Sequence, residues 1–251
     1  LLWQAEYGIR DWTGTGGQTG ARPILKLREG VNESTTAVDS IYVSYRGNLV
    51  DDSQFDYAPN PVWFPLENVV PGWAEIVPLF KTGNYDTAQG PNPAVFTEFG
   101  AGVMFLPSGL AYYNAGPSTA VPSYSPLIFT FKLDKQRYRD HDRDGIFSKD
   151  EINPDPTKSQ NPKDYDSDGD GVPNMFDVDD DGDHFLTKNE IKYINPSDPN
   201  HIVHYYPFNG ALTDDPATLY VDERQGIPNC ATPPDYTTAT RTRKHLDPSC
   251  H

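Results

Sequence analysis

Residues Gly72 to Phe80 read GWAEIVPLF and set Trp73, Ile76, Val77 and Phe80 at spacings of three and four, the period of a helix with one apolar face. Pro78 falls inside that run and limits its regularity, because an interior proline removes a hydrogen bond and clashes with the preceding turn. On either side the texture changes. Ile24 to Leu27, Ser40 to Tyr45 and Leu127 to Leu133 are short β-rich pieces parted by Gly, Pro, Asn and Asp. One short helix among many strands predicts an α+β fold over residues 23–135, an antiparallel sheet wrapped on that helix.

The chain has 251 residues, long enough for at least one sizeable core, and 36 acids against 20 bases give it a net charge of −16. That sign argues against a nucleic-acid binder, which neutralises phosphates with bases. No run of about 18 apolar residues is present, so no helix is expected to cross a bilayer. The 24 prolines and 20 glycines predict many turns and few long helices. Residues 1–22, with Gly14, Gly16, Gly17 and Gly20, read as an N-terminal extension. They lack the Lys-Ser or Lys-Thr pair and the preceding strand that a phosphate loop needs. A first residue Leu1 is read as the mark of a processed chain whose signal peptide has gone. Cys230 and Cys250 are the two cysteines, and a disulfide between them would stiffen a C-terminal tail, residues 201–251, and imply an oxidising compartment; two separate thiols are the alternative.

Residues 136–200 form an Asp-rich segment. Asp140, Asp142, Asp144, Gly145, Ser148 and Glu151 occupy positions 1, 3, 5, 6, 9 and 12 of a twelve-residue frame. Calcium takes six to eight hard oxygen ligands, and this spacing supplies three carboxylates, the carbonyl of Ile146 and a bidentate Glu. The same frame from Asp166 gives Asp168, Asp170, Gly171, the Val172 carbonyl, Asn174 and Asp177. From Asp179 it gives Asp181, Asp183, the Phe185 carbonyl, Thr187 and Glu190, with His184 where a glycine would ease a positive φ. Asp164 and Asp180 offer slipped registers, so two to four ions are expected. An acidic solvated linker would not repeat this frame three times, nor place Ile152 and Ile191 after the two terminal glutamates. Pro154, Pro156 and Pro173 exclude the flanking helices of regular EF-hands, and the tandem text resembles thrombospondin type 3 calcium repeats instead. The histidines show no paired zinc spacing; His141 is read as pointing to solvent, and His201 and His204 as packing.

Between residues 23 and 133 there is no histidine, no cysteine and no G-x-S-x-G elbow, so the familiar nucleophilic triads are excluded there. Tyr45, Phe55, Asp56, Val69, Val70, Trp73, Tyr112 and Phe129 instead gather aromatic and aliphatic bulk around a few polar groups, which suits an apolar pocket. Five motifs occur in order: VSYRG from Val43 to Gly47, QFD from Gln54 to Asp56, FPLENVVPGW from Phe64 to Trp73, LPSGLAY from Leu106 to Tyr112 and PSYSPLIF from Pro122 to Phe129. Over about 110 residues, Ile24 to Leu133, the chain resembles an FKBP-type peptidyl-prolyl cis-trans isomerase domain. With the acidic repeats behind it, it resembles the exported lipoprotein branch of Bacteroidetes-type bacteria.

The resemblance implies a pocket with Trp73 as floor and Tyr45, Phe55, Val69, Val70, Tyr112 and Phe129 as walls, and with Asp56 at the rim. Tyr112 and the Val70 amide would donate to a substrate carbonyl, and Ala111 and Val121 would line the mouth. Val62 stands where the family often has an aromatic wall, Tyr113 replaces a usual glycine, Ser123 replaces a second proline, and Lys81 to Met104 lengthens a tight connection. The chemistry agrees with the absence of a nucleophile. Rotation about an X-Pro bond crosses roughly 20 kcal/mol because the planar amide loses resonance, so a dry cleft that prefers the twisted amide needs no metal and no proton relay. Proline-containing polypeptides are the expected substrates and FK506-like macrolides the expected inhibitors. Calcium is expected to stiffen the C-terminal half, and the resemblance implies a place in the periplasm or at the outer membrane as a lipoprotein, with any membrane contact through a lipid anchor outside this chain. The alternative is a non-catalytic, calcium-stiffened peptide-binding or adhesion module on the same scaffold.

Overall fold

A computed structural model describes residues 24–86, 94–194, 199–210 and 226–250. The N-terminal extension expected over residues 1–22 lies outside the described residues. The chain divides into two compact units, Leu1–Arg137 and Tyr138–His251.

In the first unit, β1 (Ile24–Arg28), β2 (Ser40–Leu49), β3 (Gln54–Pro65), β6 (Gly100–Leu106) and β7 (Leu127–Arg137) form one antiparallel sheet in the order β1-β6-β7-β2-β3. The alternation that makes these strands also makes the core: Leu127, Phe129, Phe131 and Leu133 of β7 are buried at every second position, as are Ile41 and Val43 of β2. Across that face lies α1 (Pro71–Ile76), whose Trp73 and Ile76, with Val77 and Phe80 just beyond, pack on the same cluster. Pro71 suits the first helical turn, where its missing N–H costs nothing. The single helix expected over Gly72 to Phe80 breaks after Ile76 into a 3-10 turn, Val77–Leu79, because Pro78 cannot continue the α-helical ladder. A Cβ on Gly72 would stand 2.4 Å from Leu106 Cδ2, so only glycine lets the helix sit this close to β6. The lengthened connection between Lys81 and Met104 carries a short hairpin, β4 (Asn84–Asp86) with β5 (Val95–Thr97). With Tyr42, Trp63 and Lys135, its Tyr85 and Phe96 line a cavity of about 490 Å³.

The second unit is loop-rich. Three Asp-rich loops are followed by one helical turn, α2 (Thr187–Glu190), and a hairpin of β8 (Lys192–Ile194) with β9 (Val203–Tyr205). Ile146, Ile191 and Ile227 form its small core, with Tyr206 and Phe208 against them. Of the two isoleucines that follow the terminal glutamates, Ile191 enters this core and Ile152 is half-buried outside it. The described tail feeds the same unit: Arg241 Nε donates to the Ile227 carbonyl at 2.8 Å, and the Arg243 guanidinium stacks 3.8 Å over the Phe208 ring. Cys230 and Cys250 are joined as a disulfide.

Candidate functional site

In the first unit the helix supplies Trp73 and the strands supply its surroundings. Trp73 is 2% exposed and meets Tyr45 of β2 edge-on at 5.5 Å and Phe129 of β7 at 5.2 Å between ring centroids. Phe129 in turn meets Phe55 of β3 at 5.5 Å. Edge-to-face packing of this kind holds rings in fixed orientations. Val70, Ala111 and Val121 are buried in the same cluster, while Tyr45, Phe55, Val69 and Tyr112 are half-buried members that keep part of their surface outward. The structure therefore packs nine of the eleven sequence-expected positions into one cluster, and Asp56 joins it through the Tyr45 hydroxyl. Val62 is the exception, standing 36% exposed on β3. The ring that closes the cluster on that side is Phe64, 5.5 Å from Tyr45 and 6.3 Å from Trp73. Phe64 heads the FPLENVVPGW motif, and its place there is the signal that points to it.

Asp56 is exposed and accepts a hydrogen bond from the Tyr45 hydroxyl at 2.7 Å. That bond fixes the carboxylate at the edge of the cluster. Burial, then this hydrogen bond and the Asp56 charge, raise the Tyr45 phenol above its ordinary range; burial and then the Asp56 charge raise Tyr112. Both phenols thus remain O–H donors throughout the neutral range. Tyr113 takes a positive φ of 49°, which explains why a glycine is the usual occupant there. Its ring lies 5.3 Å from Tyr124 across the rim, and both are exposed.

The second unit holds a different constellation. Its three Asp-rich loops share one backbone design. The first Asp of each accepts from the N–H five residues on: Asp140 from Gly145 at 3.2 Å, Asp166 from Gly171 at 2.9 Å and Asp179 from His184 at 3.0 Å. The third Asp accepts from the N–H two residues on, Ile146, Val172 and Phe185, each at 2.7 Å. Positions 4 and 6 take positive φ in all three loops: Arg143 and Gly145, Gly169 and Gly171, Gly182 and His184. His184 adopts the conformation its place in the frame demands, at φ 74°. At position 9, Ser148, Asn174 and Thr187 brace the loops: Ser148 Oγ, Asn174 Oδ1 and Thr187 Oγ1 accept from the N–H of His141, Ser167 and Asp180. His141, expected to face solvent, is instead half-buried, with Nδ1 2.8 Å from Ser148 Oγ and its ring 5.4 Å from Phe176.

Carboxylate oxygens gather within 4.8 Å of one another in four groups: Asp140, Asp142 and Asp144; Asp166, Asp168 and Asp170; Asp179, Asp181 and Asp183; and Asp144, Glu151 and Asp180. Of the two remaining frame acids, Glu190 is 3% exposed and Asp177 is half-buried. Burial first, then neighbouring carboxylates, pushes Glu151 up to about 10, Asp180 to about 9 and Glu190 to about 8. Both oxygens of each of these three groups lack a hydrogen-bond partner, as do Asp142 Oδ2, Asp144 Oδ2, Asp179 Oδ1 and Asp181 Oδ2. Buried carboxylates so placed are costly unless paired or coordinated, and an all-oxygen donor set fits a hard divalent cation.

An antiparallel sheet crossed by a helix that presents tryptophan to a ring of tyrosine and phenylalanine is the class of site implied by the motifs for prolyl isomerases. Comparison with known proteins makes that relationship specific. A probable FKBP-type peptidyl-prolyl cis-trans isomerase FkpA of Neisseria meningitidis serogroup B is 32% identical over 111 residues, 43% of this chain and 35% of that protein. The FKBP-type 22 kDa peptidyl-prolyl cis-trans isomerase of Escherichia coli is 26% identical over 110 residues, 43% of this chain and 46% of that one. The peptidyl-prolyl cis-trans isomerase Mip of Coxiella burnetii is 28% identical over 110 residues, 43% and 41% of the two chains. About 110 residues of this chain are thus homologous to FKBP-type peptidyl-prolyl isomerases, and the match spans less than half the length of these curated relatives. A solved peptidyl-prolyl cis-trans isomerase from Pseudomonas syringae pv. tomato shares 25% identity over 45% of this chain and 73% of that one, with a TM-score of 0.38. Residues 141–220 match a family described as BamM C-terminal.

Proposed function

We propose that the first unit catalyses cis-trans isomerisation of X-Pro bonds in polypeptides by binding the twisted amide. The observation that carries this reading is the cluster around Trp73: buried rings behind, half-buried Tyr45, Phe55, Val69 and Tyr112 in front, and Asp56 pinned at the edge by Tyr45. Homology to FKBP-type isomerases supports it. A proline ring would enter against the aromatic faces, and desolvation would favour the less polar twisted amide over the planar one. Tyr112 would donate to a substrate carbonyl. FK506-like macrolides would compete for the same surface. No group here has to gain or lose a proton.

The test is isomerisation of a short X-Pro peptide followed by NMR exchange. Protein should accelerate exchange. Tyr112→Phe should slow it roughly 5- to 10-fold, the worth of one hydrogen bond made in the transition state. The rate should stay flat from about pH 6 to about pH 9, because neither phenol titrates there. Equal exchange with and without protein, alongside peptide binding, would replace the enzyme with the non-catalytic binding module.

The second unit, in the same proposal, is held together by structural calcium. The ligands would be Asp140, Asp142, Asp144, the Ile146 carbonyl and Glu151; Asp166, Asp168, Asp170, the Val172 carbonyl and Asp177; and Asp179, Asp181, Asp183, the Phe185 carbonyl and Glu190. Support comes from the threefold loop geometry and the partnerless buried oxygens. Millimolar calcium outside the cytoplasm saturates even modest sites. The paired cysteines favour the same location, since cytosolic thiols stay reduced. No helix among the described residues is long and apolar enough to cross a membrane. Isomerase motifs followed by acidic repeats favour the exported lipoprotein branch of Bacteroidetes-type bacteria, at the periplasm or outer membrane.

A further inference from the structure

We infer that the ion of the first Asp-rich loop is a cross-link, ligated by Asp180 from outside that loop together with Asp144 and Glu151. This rests on the calcium reading of the loops and goes beyond it, because the sequence offers Asp180 only as a slipped-register ligand within its own stretch and not to the ion of the first loop.

Asp180 is position 2 of the third loop, where the first loop has His141 and the second Ser167. At that position the loop design uses the backbone: the Asp180 N–H donates to Thr187 Oγ1 at 3.0 Å. The side chain is left for another task. Its carboxylate lies within the 4.8 Å group formed with Asp144 and Glu151, and the three residues are 1%, 2% and 4% exposed. Both oxygens of Asp180, both of Glu151 and Oδ2 of Asp144 lack a hydrogen-bond partner. His245 Nε2 stands 4.0 Å from Asp180 Oδ2, too far for a hydrogen bond, and one imidazolium would not balance three carboxylates. Three buried carboxylates facing one another call for a cation of higher charge with oxygen preference.

The first and third loops abut independently of these acids. Lys188 Nζ donates to the Arg143 carbonyl at 3.3 Å, and a Cβ on Gly145 would lie 2.9 Å from Ile191 Cδ1. An ion at this place therefore fastens two segments already in contact, closing a loop between Asp144 and Asp180.

The test uses the full chain, freed of metal with chelator and titrated with calcium by calorimetry and by thermal melting. Asp180→Asn should lose one binding event or weaken it at least ten-fold, as should Asp144→Asn, and the double variant should be no worse than either single. A ligand role also predicts a crossing. In chelator, Asp180→Asn should melt at or above the wild type, because a buried acid without a partner has gone. In calcium it should melt below. Wild-type calcium binding with Asp180→Asn unchanged overturns the cross-link and leaves the calcium reading standing, whereas no binding by the wild type overturns both. A variant destabilised equally in chelator and in calcium would make Asp180 a packing residue and also overturn the cross-link.

Discussion

Asp134 is buried on β7 at 4% exposure, and burial pushes its carboxyl up to about 6 against a partial offset from Lys132. The folded group therefore holds a proton between about pH 4 and pH 6 that the unfolded group releases. Its contribution to stability is full below that window and is lost as pH rises through about 6. Asp134→Asn should therefore stabilise the first unit by on the order of 1–2 kcal/mol at pH 7, with the gain gone by about pH 4. Urea unfolding followed by tryptophan fluorescence reads this; a gain that persists at low pH would deny the cause. At this scale the sequence was legible where order along the chain carries information. Tyr45, Phe55, Asp56, Trp73, Tyr112 and Phe129 stand in motifs, and the fold brings them to one cluster. Phe64 as a wall, and Asp180 as a partner of the first loop, are not legible there, for a different reason. Phe64 reads as part of a motif and not as a wall, and the nearness of Asp180 to Asp144 joins two loops that spacing treats as separate.

The three Asp-rich loops show how an element can be written almost entirely in short-range terms. Each wraps its own N–H groups onto its own carboxylates and requires positive φ at the same two places. Gly145 and Gly171 share φ values of 105° and 99°, yet a Cβ at Gly145 would meet Ile191 Cδ1 at 2.9 Å while nothing lies within 4 Å at Gly171. Alanine at Gly171 should cost about 1 kcal/mol of backbone strain, and alanine at Gly145 about 1–3 kcal/mol more for displacing a core isoleucine. Melting of the two variants in calcium checks the order; equal losses would mean that Ile191 yields freely. The helix is legible for the same local reason, and its break after Ile76 follows from Pro78. The tail is not, because Arg243 and His245 acquire their roles through partners tens of residues away, Phe208 and Asn209, and Ile227 through Ile146 and Ile191.

Over the whole molecule, each unit has its own core, and the aromatic reporters are divided between them. All four tryptophans precede residue 138, whereas the second unit carries tyrosine alone among the strong near-ultraviolet absorbers. Eight of the fifteen tyrosines lie in the first unit and seven in the second, so chelating calcium should split the tyrosine transition, moving part of it to lower temperature, and leave the tryptophan transition in place, a departure from two-state unfolding. An unchanged tyrosine transition would defeat the calcium reading.

The turn from Asp168 to Val172 is exposed at every residue, and no atom lies within 4 Å of a Cβ built at Gly169 or Gly171. Neighbouring side chains thus leave room for a foreign graft. An insert at Gly169 would push Asp170 out of its place two residues from Asp168, so a label belongs instead on the side chain of Val172, which is 39% exposed and serves the frame through its carbonyl alone. A fluorophore carried there would leave the spacing of Asp166, Asp168 and Asp170 intact, and its brightness would report loading of that loop.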